Sequence, residues 1–431
     1  MEGKLVVKNA FWIIGGKVIQ SVIRLVIGML TARYLGPANY GIINYAAALV
    51  AFVVPLMQLG MRSTIVNELI EKPEKEGETL GTALCMCMCS GILSILGITA
   101  FVSIADKGDY TTIIVCVLYS ISLLFEALEM IQYWFQSKLM SKYVSVVALC
   151  SYVAVSLYKV YLLVTDKSVY WFSVSQSLDF LIISVSLIII YNKIGSQKLT
   201  VSLERAKEMF SVSKYYIVSG MMVTVFAHTD SIMIKLMLGP SQAGYYAAAV
   251  SCAGMIGFVF GGIIDSVRPT ILSAKKNNTA DYESRLIQLY SVIIYFSLMV
   301  SLFICVLSKI IVGILYGQAY SSAASALKIV VWYTTFSYMG SVRNIWIIAE
   351  KKQQYMWIIN LFGATVNIVL NLIMIPIWGT CGAAASSVAT QIFTNVGVCW
   401  LIKPLRYNLN IVRSSLDTGI ILNLVKSLKK I

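Results

Sequence analysis

The chain has 431 residues, 58% of them hydrophobic and only 13% charged, with a mean hydropathy of +0.79. A soluble globule of this size carries about a quarter charged residues, and no single core could hide so much apolar surface, so a soluble enzyme is excluded and lipid is the expected solvent. The net charge of +14 is then a signal of topology and of attraction to anionic lipid, with no nucleic-acid partner implied.

The N-terminal MEGKLVVKNAFWIIGGKVIQ starts like a signal peptide, basic and then apolar. Lys17 and Arg24 interrupt the run and no A-x-A-type cleavage site follows, so the segment reads as a first membrane helix. Apolar stretches long enough to cross a bilayer recur along the chain. They predict twelve spans at 9–32, 40–61, 80–103, 111–135, 143–164, 168–191, 210–237, 243–267, 286–315, 322–349, 355–376 and 380–402. Cytoplasmic termini put 24 basic residues on the inner side and five (Arg33, Lys107, Lys167, Lys235 and Lys309) on the outer side. That asymmetry predicts a multi-pass protein of the cytoplasmic membrane with both termini inside.

The outer loops are short, and the longest inner loops are 62–79, 192–209 and 268–285. The expected organisation is a lobe over 1–192, a cytoplasmic linker over 193–209, a second lobe over 210–402 and a basic tail over 403–431. Within the tail, Ile420–Ile431 sets Ile420, Ile421, Leu424 and Leu428 against Lys426, Lys429 and Lys430. This is the pattern of a helix lying on the inner leaflet, a solvated tail being the alternative.

Most of the nine cysteines sit in apolar spans, as small hydrophobes do. Cys85, Cys87 and Cys89 form a C-x-C-x-C run, but on a helix a spacing of two turns Cys87 away from the others, so no metal site is expected. The single histidine, His228, belongs to no H-E-x-x-H motif and no phosphate-binding loop occurs. Neither a zinc hydrolase nor an ATP-driven pump is written here, and no cofactor is expected.

One turn is written twice. YLGPANYG (Tyr34–Gly41) returns as MLGPSQAG (Met237–Gly244), so Gly36, Pro37 and Gly41 correspond to Gly239, Pro240 and Gly244. Both copies fall on the outer side, after the first and the seventh spans. Proline presets φ and glycine permits positive φ, which suits tight connections. Trp134 and Tyr143 are echoed by Trp346 and Tyr355. Six spans separate the copies, so the halves run the same way through the membrane. The predicted fold is all-α, with about twelve transmembrane helices in two six-helix parallel-repeat lobes.

An ionisable side chain within a span costs several kcal/mol unless it is paired or wet, so each is a candidate for function. Lys17, Ser21, Arg24 and Gly28 share one face of the first span. Lys17 and Arg24 lie about 10 Å apart along the axis, astride the membrane centre. Such a pair fits a water-filled cavity that takes an anion, and guanidinium matches phosphate geometry; pairing with acids on neighbouring helices is the alternative. The candidate acids are Glu126 and Glu129 on the fourth span, Asp179 on the sixth and Asp230 on the seventh. They could neutralise those cations, bind a coupling ion or contact sugar hydroxyls. Asn360, Asn367 and Asn371 form a stripe on the eleventh span, suited to linking helices or to binding sugars. Lys159, Lys328 and Arg343 lie close enough to helix ends to snorkel.

Three motifs in order, A-R-Y-L-G-P-x-x-Y-G (Ala32–Gly41), D-x7-L-G-P-x3-G-x-Y (Asp230–Tyr246) and N-x3-N-x3-I-P-x2-G-x2-G-A-A (Asn367–Ala384), resemble the Wzx polysaccharide flippases. That family belongs to the multidrug/oligosaccharidyl-lipid/polysaccharide (MOP) exporter superfamily. Where it often carries Arg-Glu after the second span, this chain has Asn67–Glu68. The resemblance implies two lobes in a V around a central cavity. It also implies transport, without catalysis, of a polyprenyl (undecaprenyl) diphosphate-linked oligosaccharide from the inner to the outer leaflet. The sugar head would cross the cavity while the lipid tail stays in membrane lipid, with polysaccharide polymerase and chain-length proteins as partners. A cation-coupled drug exporter of the same superfamily is the rival, although the doubly basic first span argues for a phosphate-bearing substrate.

Overall fold

The computed structural model describes the backbone of residues 2–195, 197–277 and 281–420, and the side chains of that set from Gln20 onward except Val22. Its described elements are all helical, as lipid demands: only a helix satisfies every backbone N–H and C=O within one apolar segment. The chain divides into two compact units, Met1–Gly244 and Tyr245–Ile431.

The first unit starts with α1 (Glu2–Met57), broken at Gly36, whose φ of 69° and ψ of 172° are not helical. Pro37 restarts the helix, so the first two expected spans meet at the Leu-Gly-Pro turn. Next come α2 (Met61–Glu71) and α3 (Glu76–Ala105). The expected fourth span is three short helices, α4 (Tyr110–Ser120), α5 (Ser122–Glu129) and α6 (Gln132–Ser137). At the second break the backbone tightens to i→i+3 bonds, such as Met130 N to Ala127 O and Trp134 N to Ile131 O. Then follow α7 (Ser141–Val164), α8 (Val169–Ile194) and α9 (Leu203–Leu238). The core of this unit holds Tyr45, Met57, Met61, Phe135 and Tyr191. Trp134 meets both Phe135 and Tyr191 edge-on at 5.0 Å.

The expected linker is strapped to the start of α3. Thr200 N donates to Gly77 O at 3.2 Å, Gln197 Oε1 accepts from Gly77 N at 3.0 Å, and Ser202 N donates to Thr82 Oγ1 at 3.0 Å. Two glycines one helical turn apart admit the strap. A Cβ at Gly77 would lie 2.2 Å from Lys198 O, and one at Gly81 would lie 2.3 Å from Thr200 O.

Both units share α10 (Pro240–Gly254), since the boundary falls after Gly244. The second unit then contains α11 (Gly257–Lys276), α12 (Tyr282–Tyr316), α13 (Ala323–Ala349) and α14 (Met356–Trp378). It ends with α15 (Thr380–Ile392), which runs through a π-helical turn at Phe393–Gly397 into α16 (Val398–Leu401). After a bend of 109° comes α17 (Arg406–Ser415). That short helix buries Asn408, Ile411 and Ser415 and exposes Arg406, Tyr407 and Arg413. Tyr290 Oη donates to Asn408 Oδ1 at 3.1 Å and Ser291 Oγ to Ser415 O at 2.7 Å, docking it on α12. The amphipathic pattern from Ile421 to Ile431 lies outside the described residues.

Among the described residues eight helices are long and apolar enough to cross a membrane, or ten with the two bent pairs. The stretch Ile23–Glu71 counted there as one takes in the end of the first expected span and all of the second, and α13 coincides with 322–349. All twelve expected spans therefore fall on helices of an all-α multi-pass membrane protein. Several helices outrun the bilayer: α9 has 36 residues and α12 has 35, about 50 Å each. Much of the expected inner loops 62–79 and 268–285 is accordingly helical.

Candidate functional site

The two copies of the repeated turn share one conformation and touch each other. Gly239 has φ 90° and ψ 174°, close to the values at Gly36, in a region that only glycine occupies without strain. A Cβ at Gly41 would lie 1.9 Å from Pro240 O, and one at Gly244 would lie 2.0 Å from Pro37 O. The contact is reciprocal: each glycine makes room for the carbonyl of the other copy's proline. Beside it, Lys235 of α9 pairs with Asp106 at the end of α3. Tyr45 Oη donates to the other Asp106 oxygen at 3.0 Å, with the ammonium 4.9 Å from the Tyr45 ring centroid. These three residues are buried, which a charge pair tolerates when its remaining oxygen is also satisfied. Nothing in the spacing of Tyr45, Asp106 and Lys235 announces that they meet.

Away from the turns, three helices converge on Arg24. This residue of α1 is exposed, and its guanidinium lies 5.8 Å from the ring centroid of Tyr152 on α7. Asp179 on α8 accepts from Ser151 Oγ at 2.6 Å and lies in the electrostatic field of Lys159 and Arg24. Lys159, expected to snorkel, is half-buried and lies in the electrostatic field of Asp179. Ser21 is exposed on α1 one turn before Arg24. Lys17 is in α1, but its side chain is outside the described set.

A second group of charges adjoins the first. Glu126 on α5 accepts from Gln58 Nε2 at 3.3 Å. Glu129 lies in the field of Glu126, Asp179 and Arg62. The Arg62 guanidinium is 5.8 Å from the Tyr133 ring centroid, and Tyr119 on α4 feels Arg24, Glu126 and Asp179 together. Glu126, Glu129 and Asp179 are half-buried, whereas Arg24 and Arg62 are exposed. The fold therefore gathers Arg24, Glu126, Glu129 and Asp179, which are scattered over 155 positions of sequence, around one polar region in the first unit. Chemically this is a mixed-charge surface whose exposed groups are the two guanidiniums. Asp230 and His228 are half-buried in α9 and take no part in the contacts just described.

The α14–α15 seam of the second unit uses neutral groups. Asn367 and Asn371 are fully buried on α14. Asn371 Nδ2 donates to Asn367 Oδ1 at 3.2 Å, and Ser386 Oγ of α15 donates to the Asn367 carbonyl at 3.3 Å. Asn360 is half-buried two turns earlier. Arg343, expected to snorkel, is buried instead. Its Nη1 donates to Thr394 O in the π-helical turn at 2.7 Å, and its Nη2 to Asn344 Oδ1 at 3.3 Å. A π-turn frees a carbonyl from the regular ladder, and that carbonyl takes one of the guanidinium donors, while Arg343 Nε is buried with no hydrogen-bond partner among the described residues. Gly340 clears the space beside it, since a Cβ there would lie 2.7 Å from Asn395 Oδ1.

Sequence reasoning also missed Glu68 as a partner. Together with Glu208 it flanks Arg205, whose Nη1 donates to Glu208 at 2.8 Å and whose Nη2 donates to Thr79 Oγ1 at 3.1 Å. The acid of the unusual Asn67–Glu68 pair thus anchors the strap that leads into α9. Cys87 is buried while Cys85 and Cys89 are exposed, as helical alternation requires.

Comparison with known proteins adds a family. A family model described as polysaccharide biosynthesis protein matches residues 30–325. The chain is 22% identical over 412 residues to a capsular polysaccharide biosynthesis protein, CapF, of Staphylococcus aureus, covering 92% of this chain and 99% of that one. It is 22% identical over 242 residues to an uncharacterized membrane protein of Methanocaldococcus jannaschii, covering 53% of this chain and about half (47%) of the relative. In structure it is similar to the lipid II flippase MurJ in an inward closed conformation, with a TM-score of 0.74, 15% identity, and coverage of 95% and 92% of the two chains. It is also similar to an inward-facing multidrug resistance MATE family transporter of the MOP superfamily, with a TM-score of 0.66, 13% identity, and coverage of 90% and 96%. The fold is thus that of the MOP superfamily, and the chain belongs to the polysaccharide biosynthesis protein family.

Proposed function

We propose that the protein is a flippase, not an enzyme, moving a polyprenyl-diphosphate-linked oligosaccharide from the inner to the outer leaflet of the cytoplasmic membrane. The product would feed a surface polysaccharide such as O-antigen, capsule or exopolysaccharide. The observation that carries this reading is the exposed guanidinium of Arg24, within an apolar span and beside Tyr152. Such a group is costly in hydrocarbon and useful where a phosphate passes. Family membership and the fold support it.

In this reading Arg24, with Lys17 and Ser21 on the same helix face, takes the diphosphate. Asp179, Glu126 and Glu129 keep the surrounding charge balanced, so the anion is held without being trapped. The repeats over 1–192 and 210–402 act as two lobes that alternate access, joined by the linker at 193–209, with both termini in the cytoplasm. A cation-coupled multidrug exporter is the second reading, favoured by the same three carboxylates. Extraction of lipids from cells lacking the protein, followed by mass spectrometry, separates the two. Accumulated polyprenyl-diphosphate oligosaccharide, relieved by the wild-type chain, supports the flippase. No accumulation together with new sensitivity to cationic drugs overturns it.

A further inference from the structure

The second unit carries a groove that the transport reading does not use. It lies between α11 and α12 and has a volume of ≈ 590 Å³. Each helix contributes one face: Ile263, Ser266, Val267 and Thr270 from α11, and Ser284, Arg285, Gln288, Leu289 and Val292, led by Asp281, from α12. The i, i+3, i+4 spacing on both sides is that of two helices facing each other. Where α11 ends and α12 begins, the lining is polar, with hydroxyls, an amide and an ion pair. Deeper in, it is apolar, about 16 Å along the axis from Asp281 to Val292.

Charge narrows the choice of occupant. Arg285 is neutralised by Asp281, its Nε lying 2.6 Å from Asp281 Oδ2. A phosphate entering there would meet a carboxylate as well as a guanidinium, and so would gain little net attraction. A neutral polyhydroxylated ligand suits the lining better. Serine, threonine and glutamine both donate and accept, and Ile263 and Val267 can cover the apolar face of a pyranose ring. We propose that this groove binds the glycan of the lipid-linked substrate. The inference rests on the flippase reading and assigns to that substrate a second, sugar-specific contact.

The test uses the full-length protein in detergent and the glycan released by mild acid from the lipid that accumulates in cells lacking it. Binding is followed by titration calorimetry. The wild type and Arg24→Ala are expected to bind the free glycan equally, and the double variant Ser284→Leu/Gln288→Leu to bind it roughly tenfold more weakly or not at all, as two lost hydrogen bonds predict. As a check that does not depend on the stability of that variant, Ser266→Cys should react with maleimide more slowly when glycan is present, as read by peptide mass spectrometry. Equal glycan binding by the double variant, or unprotected Cys labelling, overturns the groove. So does loss of co-purifying phospholipid with glycan binding unchanged, which makes it a phospholipid site. If no lipid-linked saccharide accumulates, the flippase reading itself falls, and the groove assignment with it.

Discussion

The charged cluster of the first unit and the α14–α15 seam of the second solve the same problem, polar groups inside an apolar solvent, in opposite ways. In the first unit the embedded groups are ionic and half-open: Arg24 and Arg62 are exposed, and Asp179, Glu126 and Glu129 are half-buried. The α14–α15 seam of the second unit is neutral and sealed, with Asn367, Asn371, Ser386 and Thr390 at or near zero exposure. That unit's buried cation, Arg343, is held by a backbone carbonyl of the π-turn. Charges kept accessible can meet a moving ligand, whereas amides and hydroxyls tied to one another can only hold helices together. On the proposed reading, work on the substrate falls to the first unit's ionic surface and rigidity to the second unit's α14–α15 seam.

The largest effect that could break this contrast belongs to the turn contact. Gly41→Val or Gly244→Val would drive a side chain into a carbonyl, a cost beyond about 4 kcal/mol. Either variant should be lost from the membrane or elute as aggregate in fluorescence-detected size exclusion. Next, Arg24→Ala and Arg343→Ala should part ways. Arg24→Ala is expected to lower export roughly tenfold or more, as loss of one charge-assisted contact of about 2 kcal/mol implies, with an unchanged melting temperature. Arg343→Ala should instead lower the melting temperature, because it strands the Thr394 carbonyl and opens a void. Wild-type export by the Arg24 variant would remove the first unit's assigned role.

A smaller effect is expected at the seam. Asn371→Leu should destabilise by about 1 kcal/mol, the scale of an interhelical polar contact in a membrane, and leave export by the surviving protein near normal. Export abolished at normal stability would instead make the amides part of the transport path. Smallest is the coupling between Lys159 and Asp179. A double-mutant cycle with Lys159→Met and Asp179→Asn should give about 0.6 kcal/mol, read as melting temperatures of the four proteins. Zero coupling would return Lys159 to the headgroups.

Much of the architecture was legible before any coordinates. The twelve apolar stretches predicted helices because hydrocarbon leaves the backbone no other partner, and the repeated Leu-Gly-Pro predicted two equivalent turns because proline and glycine narrow the choices of φ. What was not legible is how elements meet. The breaks in the fourth span follow no proline, and the snorkelling expected of Arg343 assumed lipid where the fold supplies the Thr394 carbonyl. The strap on Gly77 and Gly81 could not be foreseen either, since two glycines a turn apart state that something approaches closely without saying what.

Of the candidate residues, the sequence by itself determined which were unusual: charge inside a span is expensive wherever it is, so Arg24, Glu126, Glu129 and Asp179 stood out from composition alone. Only the tertiary structure decided which of them are neighbours, that Tyr45, Asp106 and Lys235 form a buried set, and that the paired glycines of the repeat seat each other's turn. The physical reason is that hydropathy and backbone preference are local and can be read residue by residue. Electrostatic pairing and close approach depend on distances between segments far apart in the chain, and those are set only when the helices pack.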